Sequence, residues 1–172
     1  NGDHTRVTLA SVKENGTFST PPQATASNTV AIGHDARATT AAGAFAIGNN
    51  SRATGQNSIA VGSATGNNSA TGISAAALGG ENVTASGNYS ATLGGQNNIA
   101  AGAYSVVIGR DSSAAGDDAV AIGKNLVATE NNSIVLGNNT NGAKIAISGS
   151  LEVFSATTLN SDVTLAEGAD LI

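Results

Sequence analysis

The chain has 172 residues, of which 3% are aromatic and 11% charged, with 22 glycines and no cysteine, methionine or tryptophan; such proportions exclude an ordinary globular core and describe a fibre. A formal net charge of -5 and a pI near 4.7 exclude a sequence-independent nucleic-acid binder, which needs a basic surface. Without cysteine, neither disulfides nor a thiolate metal site supplies stability, an arrangement compatible with an extracellular place.

No apolar run approaches the roughly 20 residues that cross a bilayer, and no signal peptide opens the chain, so any anchor is expected outside these residues. Residues 1–27 contain one alternating stretch, Val7-Thr8-Leu9-Ala10-Ser11-Val12, and a turn at Lys13-Glu14-Asn15-Gly16, which predicts a single strand. Phe18 is placed to cover the open end of the repeats that begin at residue 28, and Pro21-Pro22 is expected to break the ladder and mark a boundary. Residues 1–27 are therefore assigned as an N-terminal strand and cap.

Residues 28–140 are organised by a four-residue phrase that returns eight times: Val30-Ala31-Ile32-Gly33, Phe45-Ala46-Ile47-Gly48, Ile59-Ala60-Val61-Gly62, Ala76-Ala77-Leu78-Gly79, Ala91-Thr92-Leu93-Gly94, Val106-Val107-Ile108-Gly109, Val120-Ala121-Ile122-Gly123 and Ile134-Val135-Leu136-Gly137. The glycines are separated by 15, 14, 17, 15, 15, 14 and 14 residues. A period so short predicts a solenoid of coils of about 14 residues, each stabilised by stacking on its neighbours. A second unit, Ala-x-Gly, recurs as Ala53-Thr54-Gly55, Ala70-Thr71-Gly72, Ala85-Ser86-Gly87, Ala100-Ala101-Gly102 and Ala114-Ala115-Gly116, and predicts a short second strand with its Ala turned inward. Pairs such as Asn49-Asn50, Asn67-Asn68 and Asp117-Asp118 supply turns. The 17-residue step predicts a bulged turn near Ser63-Ala64-Thr65-Gly66, and Gly79-Gly80 and Gly94-Gly95 predict matching turns.

Period-two geometry sends the first and third residues of each phrase to one face and the middle residue to the other. The first and third are assigned to the coil interior, opposite the inward Ala of the second strand. The middle residues, Ala31, Ala46, Ala60, Ala77, Thr92, Val107, Ala121 and Val135, are small or branched where a solvated face would be polar. They are assigned to the interface with sister chains, and a homo-oligomer with a cyclic axis along the rod is expected.

Tyr89 and Tyr104 each lie five residues before their anchor glycine, so adjacent coils are expected to stack the two rings at the outer edge, as a ladder contact or a ligand surface. Arg52, with Arg37 and Arg110, is a candidate basic stripe. His34 reads as a solvated turn residue, and Asp111, Asp117 and Asp118 as solvated turn charges. No nucleophile, histidine and acid set suggests catalysis, and no cofactor or metal is implied. After Gly137, Asn138-Asn139-Thr140-Asn141-Gly142 ends the roll, and residues 141–172, with Lys144-Ile145-Ala146-Ile147-Ser148 and Leu151-Glu152-Val153-Phe154, read as a β-rich connector.

The phrases Asn57-Ser58-Ile59-Ala60-Val61-Gly62, Asp118-Ala119-Val120-Ala121-Ile122-Gly123 and Asn50-Ser51-Arg52-Ala53-Thr54-Gly55 resemble the head repeats of trimeric autotransporter adhesins of the YadA type, over about residues 28–140. The resemblance implies an all-β, left-handed parallel β-roll with three chains side by side. It further implies a non-enzymatic, extracellular adhesin on a bacterial surface that engages a host, matrix or surface receptor, protein or glycan. Neither the neck nor the heptad stalk of that family follows the last coil. The same repeat also occurs in bacteriophage tail fibres, which makes a fibre shaft involved in host attachment the alternative.

Overall fold

A computed structural model describes residues 5–9, 20–62 and 66–138. Its strands are β1 (Arg6–Leu9), β2 (Gln23–Ala24), β3 (Thr29–Ile32), β4 (Arg37–Ala38), β5 (Phe45–Ile47), β6 (Arg52–Ala53), β7 (Ile59–Val61), β8 (Ser69–Ala70), β9 (Ala76–Leu78), β10 (Thr84–Ala85), β11 (Ala91–Gln96), β12 (Ile99–Ala100), β13 (Val106–Arg110), β14 (Ser113–Ala114), β15 (Val120–Lys124), β16 (Val127–Ala128) and β17 (Ile134–Asn138). Odd strands form one nine-stranded sheet and even strands one eight-stranded sheet, each in chain order. The pairing is parallel throughout, so the protein is an all-β solenoid of about eight turns with coils of about 15 residues.

Register follows the repeat. Val106, Val107 and Ile108 pair with Val120, Ala121 and Ile122, and these pair in turn with Ile134, Val135 and Leu136. Backbone bonds run from coil to coil: the Ala76 N–H donates to the Ser90 carbonyl and the Ala91 N–H to the Ser105 carbonyl, both at 2.9 Å. The paired glycines form matching turns, with φ of 69° and 77° at Gly79 and Gly80 and 66° and 76° at Gly94 and Gly95.

At the other turn the Ala-x-Gly glycine is required by close approach rather than by φ. A Cβ on Gly72, Gly87 or Gly102 would collide with the carbonyl oxygen of the equivalent glycine one coil on, namely Gly87, Gly102 or Gly116. The serine three residues after such a glycine closes the turn. Ser90 Oγ donates to the Gly87 carbonyl and Ser105 Oγ to the Gly102 carbonyl, both at 2.7 Å.

The structure reverses the expected parity of the odd strands. Ala31, Ala46, Ala60, Ala77, Thr92, Val107 and Ala121 have 0% exposure in a single chain, so these middle residues line the coil interior and cannot face a sister chain. Val135 packs against the same core. The reason lies at the corners, which add two further inward columns. One is the residue before each odd strand, such as Ala44, Ser58, Ala75, Ser90, Ser105 and Ala119. The other is the residue preceding each even strand, such as Ala36, Ser51, Asn68, Val83, Asn98, Ser112 and Leu126; all are buried. With four columns inside one narrow coil, only small side chains, from alanine up to valine and threonine, occupy the middle position. The inward Ala of the even strands, Ala38, Ala53, Ala70, Ala85, Ala100 and Ala114, is buried as expected, but it shares the interior with the middle residues, mostly alanines with Val107 among them, rather than with the first and third residues of the phrase.

Buried polar corners tie coils together. Asn68 Nδ2 donates to the carbonyls of Val61 (3.1 Å) and Gly79 (2.9 Å), while its Oδ1 accepts from the Val83 N–H (3.4 Å). Asn98 repeats the device with the carbonyls of Gly94 and Gly109 and the N–H of Ser112. Thr92 has no such arrangement: its Oγ1 is buried without a hydrogen-bond partner, between Ala77 and Val107 in register. Thr92→Val removes this orphan while keeping the shape, and is expected to raise the stability by about 1 kcal/mol, read as a higher thermal midpoint; a lower midpoint would show that the hydroxyl is satisfied.

The N-terminal segment is more closely integrated than a boundary at the prolines implies. β1 pairs with β3, Val7 opposite Val30, and β2 pairs with β4 directly after Pro22. The Asp35 N–H also donates to the Thr20 carbonyl at 2.9 Å. The prolines thus precede a rung of the ladder instead of breaking it. The expected turn at residues 13–16, Phe18, the bulge at residues 63–65 and the connector at residues 141–172 lie outside the described residues.

Candidate functional site

Because the middle residues point in, the first and third residues of each phrase point out. They form two columns on one face of the nine-stranded sheet, one through Phe45, Ile59, Val106, Val120 and Ile134, the other through Ile47, Leu78, Leu93, Ile108, Ile122 and Leu136. Exposure along these columns reaches 41% at Phe45, 47% at Leu136 and 68% at Ile134. At about 4.8 Å per rung, the strip from β3 to β17 is roughly 34 Å long. A continuous apolar face of that length, on a coil whose interior is already filled, is the surface signature of an association site.

The second surface is a corner. Tyr89 and Tyr104 stack with ring centroids 5.0 Å apart and planes 7° from parallel, as the spacing predicts. Both are exposed, at 52% and 56%. Both also take the left-handed backbone conformation, φ 59° and 58°, at a turn position that neighbouring coils fill with Asn57, Ser74, Asp118 and Asn132.

The arginines do not make one stripe. Arg37 and Arg52 pair in register on β4 and β6, with Arg37 bound to Asp35 at 2.8 Å. Arg110 ends β13 on the other sheet, beside Lys124 in register and 3.4 Å from Asp111. Arg52 is exposed. His34 is not merely solvated, since its Nδ1 lies 3.0 Å from Asn49 Oδ1. Asp111 accepts from Asn97 Nδ2 and Asp117 from the Ala103 N–H, both at 2.8 Å, so these carboxylates hold the turns. Among the described residues no group of three or more His, Cys, Asp or Glu side chains is placed to hold a metal ion, and no helix is long and apolar enough to cross a membrane.

Sequence reasoning missed the outward columns, although a signal was present. The middle position is Ala in five of the eight phrases, whereas the flanking positions range from Ala to Phe; the tighter size limit marks the enclosed side.

A family model described as the YadA head domain repeat matches residues 24–51, 40–65 and 95–125. A search of the curated proteins finds no match. Among solved structures, the crystal structure of the collagen-binding domain of the Yersinia adhesin YadA is similar, with a TM-score of 0.55 and 24% identity over 94% of this chain and 93% of that one. That likeness establishes a shared fold.

Proposed function

We propose that this chain, which carries YadA head repeats, is a non-enzymatic adhesive rod that works as a homotrimer on a bacterial surface. One observation carries the reading: the outward apolar strip of the nine-stranded sheet, left uncovered by a coil that has closed its own core with alanines. Alanine burial contributes little per residue compared with Ile or Leu, so the larger hydrophobic gain is available only between chains. Three strips meeting about a common axis bury Phe45, Ile59, Ile122 and their column neighbours, and the seam passes from the middle residues to these.

The even sheet and the corners then face outward, where three copies of a weak site act together on a multivalent surface. By analogy with the Yersinia domain, the receptor proposed is an extracellular-matrix protein of the collagen type. Light scattering of the 172-residue chain is expected to give three times its 16.6 kDa mass, with saturable binding to a collagen-coated surface and none to albumin. A monomeric mass would overturn the assembly; a trimer that ignores collagen would overturn the receptor alone.

A further inference from the structure

We infer that the Tyr89–Tyr104 corner is a carbohydrate-contact site for neutral hexopyranose sugars, distinct from the apolar strip and independent of the trimer. The turn position it occupies demands a left-handed backbone, which Asn, Asp and Gly adopt readily and bulky side chains resist. The coils on either side use Ser74 and Asp118 there, and the next ones out use Asn57 and Asn132. Two adjacent coils instead hold the bulkiest side chains at any left-handed position described, and leave more than half of each exposed. Mutual stacking offsets part of the strain, yet an Asn ladder would incur less; a backbone outlier kept at a cost is a pointer to function.

The surroundings specify the ligand. Ser74 and Asp118, one coil below and one above, carry no ring that could continue the stack. Asn88 Oδ1 accepts from the Ile73 N–H at 3.0 Å, and Asp117 Oδ1 accepts from the Ala103 N–H at 2.8 Å. These bonds fix an amide, its NH2 group a donor, at the residue before Tyr89, and a carboxylate acceptor at the residue before Asp118, one coil on from Tyr104. Apolar ring faces next to a fixed donor and a fixed acceptor match a pyranose, which presents C–H groups on its face and hydroxyls at its rim. The neighbouring Asp117 and Asp118 carboxylates, on a chain of net charge -5, disfavour sialylated or sulfated sugars.

The chain has only these two tyrosines and no tryptophan, so its intrinsic fluorescence reports on this corner alone. An array of neutral oligosaccharides with their sialylated and sulfated counterparts is expected to retain the protein on neutral members only, and titration with a retained oligosaccharide is expected to change tyrosine fluorescence saturably. The double variant Tyr89→Asn with Tyr104→Asn, which installs the residue other coils use, is expected to bind about tenfold more weakly or worse, at unchanged mass and with no loss of thermal midpoint. The inference is overturned by any of three results: retention of no neutral sugar, undiminished binding by the double variant, or tyrosines that iodide cannot quench in the assembled protein. The Ile122→Glu chain, deprived of its strip, is expected to keep the per-chain fluorescence response, which separates failure of this site from failure of the trimer.

Discussion

Ala121→Glu is expected to unfold the rod, whereas Ile122→Glu, one residue away, leaves each coil intact and separates the chains. Ala121 is fully buried between Val107 and Val135 in register. A carboxylate there has no water and no partner, and the expected loss is above about 4 kcal/mol, enough to remove the β signal in far-ultraviolet circular dichroism. Ile122 points to the outward strip, where it is 39% exposed. A glutamate in its place is solvated in the single chain but desolvated in a trimer seam, so circular dichroism is expected to stay β-rich while light scattering falls to the monomer mass. A folded, trimeric Ala121→Glu protein would show that the middle residues are not the core. An Ile122→Glu protein that remains trimeric would place the seam elsewhere.

Gly87→Ala is the second substitution with a large expected effect. The added Cβ meets the Gly102 carbonyl oxygen, and behind it the backbone of Gly102 and Ala101, none of which can yield without lifting the next coil. Nearest-neighbour stacking holds a solenoid together, so displacing one coil severs the stack at that point. A loss of about 3 kcal/mol or more is expected, with a broadened or split thermal transition. Ser86→Ala is the control: Ser86 is exposed, and the equivalent positions already hold Ala101 and Ala115, so its effect is expected within about 0.5 kcal/mol. Equal midpoints for the two variants would mean that the coils are packed less closely than the structure places them.

The solenoid was legible because recurrence every 14 to 17 residues between Gly33 and Gly137 leaves the chain few alternatives to stacked coils, and because Gly, Asn and Asp mark both turns. The Tyr89–Tyr104 stack followed from the same arithmetic, since residues a whole coil apart must lie side by side. Which face of the odd strands is enclosed was not legible from alternation, which shows that two faces exist without saying which one turns in. That choice is made by residues outside the phrase, such as Ala44 and Ser58 at one corner and Ala36 and Val83 at the other, whose inward turn depends on backbone path. The pairing of β1 with β3 was hidden for a related reason: Leu9 and Ile32 are 23 residues apart, which falls outside the period.

The coil-to-coil bonds of Ala76 with Ser90 and Ala91 with Ser105 lie along the long dimension of the molecule, and this has a mechanical consequence. Each winding contributes about 4.8 Å to the length of the rod yet stores about 15 residues of chain, roughly 50 Å when drawn straight. A rod wound this way is not expected to snap when overloaded from one end. It lets out slack one winding at a time, like line from a spool, while the windings behind the fork keep their grip.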